Sequence, residues 1–85
     1  MLLQGGEKDP AITPSLIGKV FAATATPACK VIYAEARHLA WTDFQDDFQD
    51  VTAAATVAFL SEAFAGRRPD ETILASPKTN DKKCK

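Results

Sequence analysis

The 85 residues contain only one histidine, one tryptophan, one tyrosine, one methionine and two cysteines. Neither cysteine, Cys29 or Cys84, has a second metal-type residue nearby, so the pair fits neither a zinc site nor a multi-disulfide scaffold. Reduced, structurally minor thiols are expected, with a single disulfide tying down the C-terminus as the alternative. An excess of one charge is also missing. Ten Lys and Arg stand against eleven Asp and Glu, for a net charge of -1. That balance excludes the basic surplus usual in a nucleic-acid binder. No apolar run approaches the roughly 18 residues of a membrane-spanning helix. Met1 to Gly6 lacks the basic and long apolar regions of a signal peptide, so it gives secretion no support, and the compartment stays open. What is present is ordinary for one small globular domain: 46% hydrophobic and 25% charged residues.

Met1-Leu2-Leu3-Gln4 is a short apolar run that stops at Gly5-Gly6, which predicts a buried strand ending in a glycine turn. Thr13-Pro14 predicts a helix start. Threonine caps the first amides, and proline at the first helical position forfeits no hydrogen bond. Leu16, Ile17, Val20 and Phe21 then form one apolar stripe, and Thr24, Thr26 and Pro27 end the helix. Lys30 to Ala34 is β-branched, aromatic and too short for a helix, and predicts a second buried strand. Residues 35–43 read as an irregular loop. Asp46, Asp47 and Asp50 then precede a helix over Val51–Ala65, where acidic residues complement the electropositive N-terminus. Its expected buried stripe is Ala53, Val57, Leu60 and Phe64, with Gly66 as the stop.

Residues 1–66 therefore read as an α/β unit of order β-α-β-α, with two parallel strands in a right-handed crossover and flanking helices. Residues 67–85 read as a polar, disordered tail with a brief contact at Thr72-Ile73-Leu74. Two strands do not make an independently stable sheet. The unit is therefore expected to be the end of something larger.

Asp9 follows the first strand and His38 follows the second. Parallel strands would bring both to the carboxyl edge of the sheet, where α/β proteins build their sites. A carboxylate there can fix the tautomer of an imidazole and stabilise its protonated form. The plainer reading is an Asp-Pro turn and a loop histidine. Asp43, Asp46, Asp47 and Asp50 lack the glycine and terminal glutamate of a calcium loop, so no metal is expected, and nothing calls for a cofactor. Trp41, Phe44 and Phe48 could line an acyl pocket but are read as packing under the last helix.

The run from Leu2 to Pro14, with Gly6-x-x-Asp9 and a proline a few residues later, resembles the acid-bearing turn of the α/β-hydrolase superfamily. Lys30 to His38, followed by the helix ending at Gly66, is similar to that family's last strand, histidine loop and C-terminal helix. The nearest flavour is the dienelactone-hydrolase, chlorophyllase and acetylhydrolase-like esterases, and Trp41 and Asp43 match the aromatic and aspartate that often follow their histidine. The resemblance covers residues 1–66. It implies the C-terminal part of a serine esterase acting on a small-molecule ester, with Asp9 as the triad acid and His38 as the general base.

The family order puts the nucleophile before the acid. Ser15, Ser61 and Ser76 lack the Gly-x-Ser-x-Gly elbow, and Cys29 lies at the wrong end of its strand. The chain alone is therefore expected to be inactive. The competing expectation is a small non-enzymatic protein that docks the apolar faces of its two helices, Leu16/Phe21 and Val57/Phe64, on a partner or on its own copy.

Overall fold

The computed structural model describes residues 1–37 and 48–85. Its elements are β1 (Leu2–Gly6), α1 (Pro14–Ala23), β2 (Cys29–Tyr33), α2 (Gln49–Phe64), a 3-10 turn (Glu71–Leu74) and β3 (Thr79–Cys84). His38, Trp41, Asp43, Phe44, Asp46 and Asp47 lie outside the described residues.

β1 and β2 pair in parallel, from Leu2 opposite Cys29 to Gly6 opposite Tyr33. α1 lies between them in sequence and starts as its residues dictate. The Thr13 side chain accepts from the Leu16 amide at 3.2 Å, and Pro14 opens the first turn. The helix covers one face of the sheet. A side chain at Gly5 would meet Ile17 and Ile32, which marks Gly5 and Ile32 as residues of the α1 face. Strand alternation puts Cys29, Val31 and Tyr33 on the opposite face. There they form the core with Ala36, Phe48, Ala55, Phe59 and Leu74. The result is a helix on either side of one small sheet.

Three expectations are corrected. First, the sheet is not a parallel pair but a mixed sheet of three strands in the order β1-β2-β3. β3 comes from the segment expected to be a disordered tail, and it pairs antiparallel with β2. The 3-10 turn anchors it. Asp70 caps that turn by accepting from the Thr72 amide, and the Glu71 carboxylate accepts from the Cys84 amide at 3.1 Å. These bonds hold both carboxyls below their usual range. For Asp70 the Thr72 hydroxyl is the larger cause, and for Glu71 the Cys84 amide.

Second, the cysteines are not free thiols. Cys29 and Cys84 are disulfide-bonded across β2 and β3, with Cα atoms 4.0 Å apart. Ala28 and Lys85 exchange backbone hydrogen bonds, so the neighbouring Cys29/Cys84 pair occupies a non-hydrogen-bonded position, where opposing side chains come closest.

Third, α2 is rotated from the expected face. Ala55 and Phe59 are buried, Val51 packs on the same core, and Ile73 and Leu74 of the 3-10 turn help cover them. Val57, Leu60 and Phe64 remain 63%, 44% and 86% exposed. Gly66 follows as expected at φ 73°, a conformation that favours glycine as a helix stop.

Candidate active site

The parallel register carries the carboxyl ends of β1 and β2 to one corner, where two backbone hydrogen bonds weld the loops that leave them and a third closes the β1 turn. Glu7 donates to the Tyr33 carbonyl and Lys8 to the Ala36 carbonyl, both at 2.9 Å, and Asp9 donates back to Gly6 at 3.2 Å. Gly6 makes this approach possible. A Cβ there would stand 2.3 Å from the Ala36 carbonyl oxygen, inside any permitted contact. The glycine of Gly6-x-x-Asp9 is thus explained by the neighbouring loop, which presses against its α-carbon.

Asp9 emerges from this weld and is 4% exposed. Its Oδ1 accepts from the Ala11 amide at 2.8 Å and the Ile12 amide at 3.0 Å. The carboxylate therefore closes the turn into α1, as an Asp-Pro turn would, with its Oδ1 held by two backbone amides. Ala36 is buried on the other loop, two residues before His38 in sequence. His38 itself lies outside the described residues.

Two further residues shape the corner, and the sequence reading missed both. Glu35 has φ 63° in the Tyr33–Ala36 turn, which turns the chain back so that Ala36 lies against Gly6. That conformation ordinarily belongs to glycine or asparagine, so no residue-type signal marks Glu35. Glu7 accepts from the Glu35 amide at 3.2 Å and from the Asn80 side chain at 3.1 Å, joining β1, the β2 loop and β3. Its partners lie 28 and 73 residues away, which no local pattern reveals.

Beneath the corner, the buried Tyr33 hydroxyl donates to Gln4 Oε1 at 2.6 Å, and Gln4 Nε2 donates to Thr56 Oγ1 at 2.9 Å. Burial pushes the Tyr33 hydroxyl up to about 12, so it stays protonated over the whole physiological range. Gln4 also lines an open groove of about 640 Å³ with Gln49, Thr52, Ala53, Thr56 and Val57. Asp9 does not line that groove.

No described contact links Asp9 to a serine. Ser15 and Ser61 are exposed, while Ser76 Oγ lies 3.0 Å from Thr79 Oγ1. The sulfur of Cys29 is held in the disulfide. Phe48, a candidate pocket residue, is buried in the core with its ring 6.3 Å from that of Tyr33. Among the described residues no group of three or more His, Cys, Asp or Glu could hold a metal ion. No helix among them is long and apolar enough to cross a membrane. No family model, curated protein or solved structure matches the chain.

Proposed function

We propose that the chain is the acid- and histidine-bearing part of an α/β-hydrolase-like serine esterase, with Asp9 orienting His38 and His38 acting as general base. The observation that carries this reading is the bond from Lys8 to Ala36. It joins the turn bearing the buried Asp9 to the loop that reaches His38 after two more residues, at most about 7 Å of chain. In the complete enzyme His38 would take the proton of a serine attacking an ester carbonyl and return it to the leaving alcohol. The nucleophile and oxyanion donors would come from a segment outside these 85 residues.

Nitrogen-15 NMR of the single histidine ring tests the pairing in the chain as it stands. Asp9→Asn keeps the oxygen that caps the turn but removes the charge, so the fold survives. A single Nδ1-protonated tautomer in the parent, lost to a mixture in Asp9→Asn, is the expected result. Identical tautomer populations in both proteins would refute the pairing. The chain alone should hydrolyse an activated ester at the rate of a free imidazole, with no burst of product.

The alternative, a non-enzymatic interaction protein, is favoured by one observation: Val57, Leu60 and Phe64 are exposed in line on α2.

A further inference from the structure

Glu7 stands where the two loops of the corner meet and is bonded to the turn after β2 twice. Its amide donates to the Tyr33 carbonyl, and its carboxylate reaches one residue pair further along. Tyr33, Ala34, Glu35 and Ala36 form a reverse turn, closed by the Ala36 amide on the Tyr33 carbonyl at 3.4 Å. That closing bond leaves the amide of the third residue, Glu35, unused. Glu7 Oε1 accepts it at 3.2 Å. Glu35 is also the residue with φ 63°, and a residue other than glycine keeps that conformation only where its surroundings impose it. The Glu7 carboxylate is one such constraint, placed on the one disfavoured residue of the turn.

The carboxylate is itself held from the far side. Glu7 Oε2 accepts from the Asn80 side chain of β3 at 3.1 Å, so both oxygens have a partner. The turn it supports delivers Ala36 against Gly6, where the Ala36 carbonyl accepts from the Lys8 amide at 2.9 Å. His38 follows Ala36 by two residues, and Asp9 follows Glu7 by two. A shift of the Glu35 turn would therefore move the start of the histidine loop relative to Asp9. The bonds from Asp9 Oδ1 to the Ala11 and Ile12 amides lie on the other loop and do not involve Glu7.

We propose that Glu7 is a positioning residue for the Asp9–His38 pair: it holds the Glu35 turn in its left-handed conformation and so fixes where the histidine loop leaves β2. The assignment rests on the hydrolase reading and adds to it a side chain outside the triad. What the turn takes from residue 7 is an acceptor oxygen rather than a charge. Glutamine should therefore serve in its place. Its carbonyl oxygen can take the Glu35 amide, and the Asn80 amide, turned over, can accept from its NH2. Alanine offers no acceptor and should not serve.

Amide exchange and nitrogen-15 NMR of the histidine ring, both on the full chain, test this. In Glu7→Ala the Lys8 amide, bonded to the Ala36 carbonyl, should exchange about tenfold faster, the usual contribution of one hydrogen bond to a charged group. The single Nδ1-protonated tautomer of His38 should give way to a mixture. Glu7→Gln should keep both parent signatures. The Ala11 and Ile12 amide shifts should hold in both variants, which separates a moved histidine loop from a damaged aspartate turn. A parent tautomer that persists in Glu7→Ala would overturn the proposal and leave the triad reading standing. A mixture already present in the parent would remove the triad reading and this assignment with it. A Glu7→Gln chain that behaves like Glu7→Ala would overturn the assignment too, because residue 7 would then act by its charge. So would a Glu7→Ala chain that loses the whole fold, because Glu7 would then be a general support of the structure.

Discussion

Reducing the Cys29–Cys84 disulfide should cost this fold a large share of its stability. The bond closes a loop with a sequence separation of 55 residues. In the chain-entropy treatment, a loop of that length confines the unfolded chain by about 4 kcal/mol at 25 °C. At about 0.05–0.15 kcal/mol per residue, 85 residues have about 4–13 kcal/mol in total. Reduction therefore removes between a third and all of it, a shift of roughly a thousandfold in the folding equilibrium. The assay is urea unfolding by circular dichroism with and without a phosphine reductant at fixed pH. The reduced chain should unfold at a much lower midpoint, or be unfolded at zero urea. Its β3 amides should also exchange first, since β3 is a charged edge strand. Coincident curves, or a difference below about 1 kcal/mol, would refute the reasoning. They would mean that the unfolded chain is already confined without the bond.

Gly6→Ala should destabilise by at least about 2–3 kcal/mol, because its methyl meets the Ala36 carbonyl, whereas Gly5→Ala, which meets side-chain atoms of Ile17 and Ile32 and no backbone, should cost less. Equal melting temperatures for the two variants would contradict the weld. Tyr33 is the only tyrosine, so absorbance titration reads it directly: its midpoint should lie near 12 in the folded chain and near the ordinary value of about 10 in urea. The folded state keeps a proton that the unfolded state loses, so stability should fall as pH rises from 10 to 12, by up to about 2–3 kcal/mol, and Tyr33→Phe should lack that fall.

The elements whose signals are local were legible in the sequence. Thr13-Pro14 starts α1 by chemistry confined to one turn, Gly66 stops α2 by its own φ, and the strand-helix-strand order implied the parallel pair and the shared corner that holds Asp9. The face of α2 was not legible. Val51 to Ala65 is apolar nearly all round, so periodicity cannot choose between the Ala55/Phe59 stripe and the Val57/Phe64 stripe. The choice falls to the 3-10 turn that covers one of them. β3 was hidden for a different reason. Thr79–Cys84 has no apolar alternation, because both its faces lie near the surface. What makes it a strand is its pairing with β2 and the sulfur bridge to Cys29, which is remote in sequence. Glu35 contributes through its backbone conformation, on which side-chain type leaves little mark, and the Glu7 carboxylate acts through partners remote in sequence.

The disulfide and the strand order also set how the molecule would respond to a pulling force. β1 and β3 run in opposite directions, so Met1 and Lys85 lie at the same end of the sheet, both bonded to the Pro27–Ala28 segment. A load applied between these two residues opens the β1–β2 pairing one hydrogen bond at a time from that end, the weakest geometry for a sheet. The pull then straightens residues 1–29 and stops at the sulfur bridge, after about 100 Å of extension. Residues 30–83 lie inside the covalent ring and bear no tension. The core formed by Val31, Tyr33, Phe59 and Leu74 is thus mechanically shielded while the Asp9 turn is not, and stretching would peel β1 from β2 and then part the Asp9 turn from the Ala36 loop.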